Sequence, residues 1–183
     1  MNFRYILWFD VIKAFIFKDY MIAESSLIFD RISERLNSAG VIFKVLDHQP
    51  VYTSAEAAAV RGVDLHSGAK ALIVKVEAQF VMIVLPADFS LHTKAVKQGM
   101  NCKNLRFANA EEVLALTSLR PGSIPPFGSL FNLPTYCDSR LGDNVSINFN
   151  AGMHSRSINL AYADYLAVEK PTVGIYGVKS TTE

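Results

Sequence analysis

Lys70 lies in Ser67-Gly-Ala-Lys-Ala-Leu-Ile-Val-Lys75, a run that reads as a strand. Alternation puts Lys70, Leu72, Val74 and Val76 on one face, and Ala71, Ile73, Lys75 and Glu77 on the other. The second row ends in two charges, whereas the first is apolar apart from Lys70. A lysine heading such a row either snorkels to water or serves a pocket, where its ammonium can stabilise negative charge on oxygen. The stretch from Arg120 to Gly128, Arg-Pro-Gly-Ser-Ile-Pro-Pro-Phe-Gly, is the second candidate. Its prolines stiffen the backbone and its glycines permit unusual turns, so amides and carbonyls can be pre-aimed at a ligand. Asn150-Ala-Gly-Met-His154 has a similar character, a strand breaking at a glycine beside polar groups.

Other chemistries find less support. There is no Gly-rich phosphate loop, no dinucleotide fingerprint and no serine in a nucleophile-elbow context. His48, His66, His92 and His154 have no paired spacing on a helix face, so no metal site is expected. Cys102 and Cys137 lack metal-type spacing; either can be a reactive thiol or a small buried apolar residue. Lys94, Lys97, Lys103 and Arg106 fall in a stretch free of acids between Asp88 and Glu111. They suit contact with a phosphate backbone, or an ordinary solvated face.

These groups need a scaffold, and 183 residues, 50% of them apolar and 19% charged, supply one folded domain. A formal net charge of +1 makes no global demand for nucleic acid or membrane. Ser25 or Ser26 can cap a helix with Ile28, Ile32 and Leu36 on one face and Gly40 at its end. Val41 to Asp47 reads as a strand, and Thr53-Ser-Ala-Glu56 as a capping box that opens a helix closed by Gly62. Strands follow near Ala71–Val76 and Phe80–Leu85, the latter covered on both faces. A helix over Ser90–Gln98, a strand at Leu105–Phe107 and a helix capped by Asn109 come next. Strands near Thr135–Cys137, Val145–Asn150 and Ser157–Ala161, a helix over Tyr162–Val168 and a loosely held end after Pro171 complete the chain. The mixture without strict alternation predicts an α+β fold.

The first twenty residues differ in composition. Their longest apolar run, Tyr5 to Phe9, is too short for a membrane span or the core of a signal peptide. Three readings stand in order: an upstream leader with Met21 as the natural start, an extra packing or dimerising helix, and membrane contact.

Seven blocks in order resemble the YbaK/prolyl-tRNA synthetase insertion-domain family of aminoacyl-tRNA editing deacylases. They are His48-Gln-Pro50, Thr53 to Ala58, Gly68-Ala-Lys-Ala-Leu72, Leu105-Arg-Phe-Ala108, Glu112 to Thr117, Pro121 to Gly128 and Asn150-Ala-Gly152. The closing stretch to Leu166 looks most like the free-standing seryl/threonyl-type branch. The resemblance implies a single editing domain over 22–175, between an apolar extension at 1–21 and a loose tail at 176–183. Its expected architecture is a mixed, mostly antiparallel curved sheet or partial barrel flanked by helices. It implies a cytoplasmic hydrolase that guards translation fidelity by deacylating mischarged tRNA bearing Ser, Thr or Ala, with no cofactor. Lys70 matches the family's essential lysine and Gly122 to Pro126 its Gly-x-x-x-Pro loop; a ribose hydroxyl is thought to help activate water. Ser54, Glu56, Ala71, Ser123, Ile124, Pro125, Phe127, Gly152 and His154 are the further expected substrate contacts. The tRNA acceptor end is the expected partner, with an aminoacyl-tRNA synthetase as a second and no stable membrane association. Ser118 stands where the family often has Gly, and Ala71 where the alanine-specific branch commonly has Asn. The alternatives are a non-catalytic tRNA- or synthetase-binding module of the same fold, and a hydrolase of another small ester or amide.

Overall fold

The computed structural model describes residues 26–181; the readings of the apolar start and of Ser25 as a cap lie outside that span. Helix α1 (26–38) buries Ile28, Ile32 and Leu36, and ends at Gly40, whose φ of 68° is the left-handed conformation a helix end favours. Strand β1 (Phe43–Asp47) follows, then α2 (Ser54–Arg61), which starts on the Thr53–Glu56 capping box and stops at Gly62, φ 65°. A short 3-10 turn, Leu65–Ser67, leads into β2 (Ala69–Val76) and β3 (Gln79–Pro86), an antiparallel hairpin pairing Lys70 with Leu85.

Phe89–Leu91 is a strand, β4, so the helix expected from Ser90 starts only at Thr93 (α3, Thr93–Gly99). Phe89 is buried and Ser90 exposed, the alternation of a strand, and β4 pairs with β10 near the C-terminus. Strand β5 (Leu105–Phe107) leads to α4 (Ala110–Thr117), which has a full capping box from Asn109 and Glu112. It closes on Ser118 at φ 57°, which explains glycine's fitness for that place. Then come β6 (Thr135–Asp138), β7 (Ser146–Asn150), β8 (Arg156–Ala161), α5 (Tyr162–Glu169), β9 (Thr172–Gly174) and β10 (Gly177–Lys179).

The strands divide among three sheets, ordered β5-β2-β3-β6-β9, β1-β8-β7 and β10-β4. Pairing is antiparallel except where β6 joins β3 and β9. A parallel bridge from Gly68 to Asn148 ties the two larger sheets together. The molecule is therefore a mixed α+β domain, with no closed barrel among the described residues. Strand β3 is covered on both faces, as its continuous apolar run predicts. Met82 and Val84 face the core shared with α1, α4 and α5, while Val81, Ile83 and Leu85 face a second core with Val96 and Tyr176.

The end after Pro171 is not loose up to Lys179. Strand β9 pairs with β6 and β10 with β4, and the amides of Tyr176 and Gly177 donate to the buried Asp138 carboxylate at 2.8 and 2.7 Å. The C-terminal segment is thus held by two strand pairings and by one carboxylate that local patterning does not reveal. No helix among the described residues is long and apolar enough to cross a membrane.

Candidate active site

Lys70 enters from β2 at the head of the row facing the second core. Its Nζ donates to the carbonyls of Ala87 (3.2 Å) and Phe89 (2.5 Å), which flank the turn between β3 and β4. An ammonium has three hydrogens, so one donor is left. Burial pushes the Lys70 pKa below its ordinary value, and the nearby Asp88 carboxylate partly opposes that. His66 braces the same turn, with Nδ1 2.8 Å from the Asp88 carboxylate.

Lys70 lines a cavity of about 360 Å³ together with Ala71 and Ser54. Gly122 and Ile124 line the same cavity, so the lysine and the glycine-proline bend share one space. Val51, Ala57, Ile73, Val113 and Phe149 provide its apolar surface. The size is at the lower end of small-molecule sites.

The bend is a type II turn. Ser123 N–H donates to Arg120 O at 3.2 Å, Pro121 takes the second position, and Gly122 takes the third at φ 89°. The end of β7 and the loop after it hold the bend in place. Asn150 Nδ2 donates to Gly122 O at 2.7 Å, Gly152 N–H donates to Ser123 O at 3.0 Å, and His154 Nε2 lies 3.2 Å from Pro121 O. A Cβ on Gly122 would sit 3.1 Å from His154 Nε2, on a φ that L-residues avoid. Gly122→Ala is therefore expected to cost about 1–2 kcal/mol, read as a lower urea midpoint.

The other expected contacts take different places. Glu56 is a capping residue: its carboxylate accepts from the Tyr52 and Thr53 amides at 2.9 and 3.1 Å, which hold its pKa low, and it does not line the cavity. Ser123, Pro125, Pro126 and Phe127 are buried behind the bend rather than in its wall. Ser123 Oγ donates to Arg120 O, Pro126 O accepts from Tyr165, and the Phe127 ring packs against Phe149 and Tyr165. Gly152 and His154 hold the bend from outside, with the His154 ring 4.8 Å from that of the exposed Tyr52.

Arg61, Asn148 and Asn150 also line the cavity and were not singled out as site residues. Arg61 reads in sequence as a basic helix end, and only the tertiary fold turns it inward. Burial pulls its pKa down to about 10.

The four expected tRNA-binding cations separate. Lys94 and Lys97 share a surface depression on α3 with Gln98 and Asn101. Arg106 instead forms a two-pronged pair with Glu112 at 2.6 and 2.7 Å, and the Lys103 amide donates to Glu77. The stretch lacks acids in sequence, but the fold brings acids from outside it.

Among the described residues no three His, Cys, Asp or Glu side chains gather to hold a metal ion. Cys137 is fully buried, and burial pushes its thiol up to about 12. A protonated thiol is a poor nucleophile. Iodoacetamide at pH 8 is expected to alkylate the half-exposed Cys102 in the folded chain, and Cys137 only after unfolding, as read by mass spectrometry.

The family model described as "Aminoacyl-tRNA editing domain" matches residues 48–168. The "Multifunctional Ser/Thr-tRNA deacylase ProXp-y" of Escherichia coli K12 is 32% identical over 154 residues, covering 81% of this chain and 92% of that protein. A proline–tRNA ligase of Shouchella clausii is 35% identical over 89 residues, covering 49% of this chain and 16% of the ligase. The crystal structure of hypothetical protein APE2540 superposes with a TM-score of 0.74 at 26% identity, covering 80% of this chain and 99% of that one. The family model covers most of the chain and the E. coli relative is near full-length, and together they decide the matter: the chain belongs to the aminoacyl-tRNA editing domain family.

Proposed function

We propose that this protein hydrolyses the ester linking a small, wrong amino acid to the acceptor end of tRNA, as a free-standing editing enzyme. The observation that carries the reading is the one cavity lined by both Lys70 and the Gly122–Ile124 wall. Its E. coli relative, named a Ser/Thr-tRNA deacylase, supports the same reaction class. The Ser/Thr named for that relative points to small acyl groups such as Ser, Thr or Ala as the ones removed.

The chemistry asked of the protein is modest. Water attacks the ester carbonyl carbon, the bond to the ribose oxygen breaks, and the proton lost by water ends on that oxygen. An aminoacyl ester is already reactive, so positioning and charge stabilisation suffice. The remaining Lys70 donor is suited to the oxygen on which charge accumulates. No side-chain base is required if a neighbouring ribose hydroxyl helps to orient the water. Acting on aminoacyl-tRNA makes the cytoplasm its site of work. A transient synthetase partner would deliver substrate.

One observation favours the non-catalytic alternative: Lys70 already bonds two carbonyls, a purely structural use of its charge. A panel of tRNAs mischarged with Ser, Thr, Ala and a bulky residue decides between them. Release of the small residues alone supports the deacylase, whereas tRNA binding without release supports the binding module.

A further inference from the structure

Two polar side chains in the cavity wall form a chain of bonds that ends on the bend. Arg61 Nη2 donates to Asn150 Oδ1 at 2.5 Å, and Arg61 Nε donates to Ser157 Oγ at 2.8 Å. Asn150 Nδ2 then donates to Gly122 O at 2.7 Å. His48 Nε2 lies 2.6 Å from the same serine hydroxyl and fixes the outer end of the chain. These residues come from four separate places: the strand β1 exit, the last turn of α2, the β7–β8 hairpin and the bend.

The chemistry of each group leaves one arrangement. A guanidinium only donates and a backbone carbonyl only accepts. Asn150 can satisfy both neighbours only by turning its oxygen to Arg61 and its amide nitrogen to Gly122. Arg61 therefore sets the Asn150 rotamer, and Asn150 sets where the Gly122 carbonyl stands. No carboxylate pairs with Arg61 among the described residues, so its half-buried charge is spent on this orientation. Aspartate at 150 would keep size and add charge attraction to Arg61, yet it could not donate to Gly122.

We infer that Arg61 and Asn150 are positioning residues for the reaction at Lys70: a strut that locks the Gly122 side of the cavity. Displacing a reacting group by an ångström is enough to slow chemistry by about 100-fold, so the strut acts on the rate of the chemical step more than on capture of substrate.

The inference rests on the deacylase reading for its kinetic arm, and hydrogen exchange provides an arm independent of activity. Asn150→Asp and Arg61→Lys are measured beside wild type for melting, for kcat and KM on a non-cognate tRNA mischarged with serine, and for exchange in peptides covering 121–128 and 150–156. The strut predicts for Asn150→Asp an unchanged melting temperature, a kcat lower by about 10- to 100-fold, a KM within about threefold and faster exchange in both peptides. Arg61→Lys, which loses the fork, follows in the same direction. Wild-type kcat and exchange in Asn150→Asp would overturn the inference. So would a raised KM at unchanged kcat in Arg61→Lys, which would make the arginine a direct phosphate contact. If wild type releases no amino acid from any mischarged tRNA, the deacylase reading fails, and the exchange arm alone decides whether the strut exists.

Discussion

Replacing Lys70 by alanine is expected to reduce deacylation of mischarged tRNA by about 10²–10³-fold, the loss seen when one preorganised donor to a developing oxyanion is removed. The same change removes two bonds to the Ala87 and Phe89 carbonyls, so some stability falls with it, about 1–3 kcal/mol. The two effects separate in the assay. A folded Lys70→Ala protein at saturating substrate should still bind tRNA, because phosphate contacts provide most of that affinity. Lys70→Arg keeps the charge but spreads it over a planar fork that the space between two carbonyls does not match. It should restore stability better than activity. Circular dichroism melting and single-turnover hydrolysis of the same samples check both statements. Equal turnover by wild type and Lys70→Ala would leave Lys70 as a turn-holding residue only.

The largest loss of stability is expected at Asp138, which does not line the cavity. Its carboxylate is fully buried and accepts from the Arg140 guanidinium at 2.6 and 2.8 Å and from three backbone amides, those of Arg140, Tyr176 and Gly177. Burial alone would raise its pKa, but these donors outweigh it and hold the carboxyl below its ordinary value. Asp138→Ala leaves Arg140 and two amides of the C-terminal segment without their partner. The cost of breaking a buried charged network from one side is about 3–5 kcal/mol, or roughly 10 °C in melting temperature for a domain of this size. The sign of the pH dependence follows. A folded pKa below the unfolded one gives stability that is complete above the unfolded carboxylate value and fades as pH falls through the folded one. Wild type should therefore lose stability on acidification below about pH 4 more steeply than Asp138→Ala, as followed by urea midpoints against pH. Parallel curves would contradict this role for the carboxylate.

Local patterns carried most of the scaffold. The Ile28–Ile32–Leu36 face, the Thr53–Glu56 capping box, the Asn109 cap and the continuous apolar run of β3 are all short-range signals, and each appears where local sequence put it. The misjudged segments are those decided at long range. Strand β4 hides inside a helix-compatible stretch because its partner, β10, is 86 or more residues away in sequence. The C-terminal end looked loose because the carboxylate that holds it belongs to β6. The site divides similarly. Lys70 and the Gly122 turn stood out as a misplaced charge and a constrained backbone, and one cavity joins them. Glu56 had a local explanation, capping, that suffices. Arg61 and Asn150 carry no local signature, since their meaning depends on a bond between α2 and the β7–β8 hairpin.

The central claim is that the acyl group of a mischarged tRNA sits between Lys70 and the Gly122–Ile124 wall. Binding of a non-hydrolysable 3′-seryl-amide adenosine, followed by amide and methyl chemical shifts of the folded protein, tests it most directly. The account predicts saturable shifts centred on Lys70, Ala71, Gly122 and Ile124, weakened by Lys70→Ala. Saturable binding that moves the Lys94–Lys97 depression and leaves these four residues unchanged would contradict it.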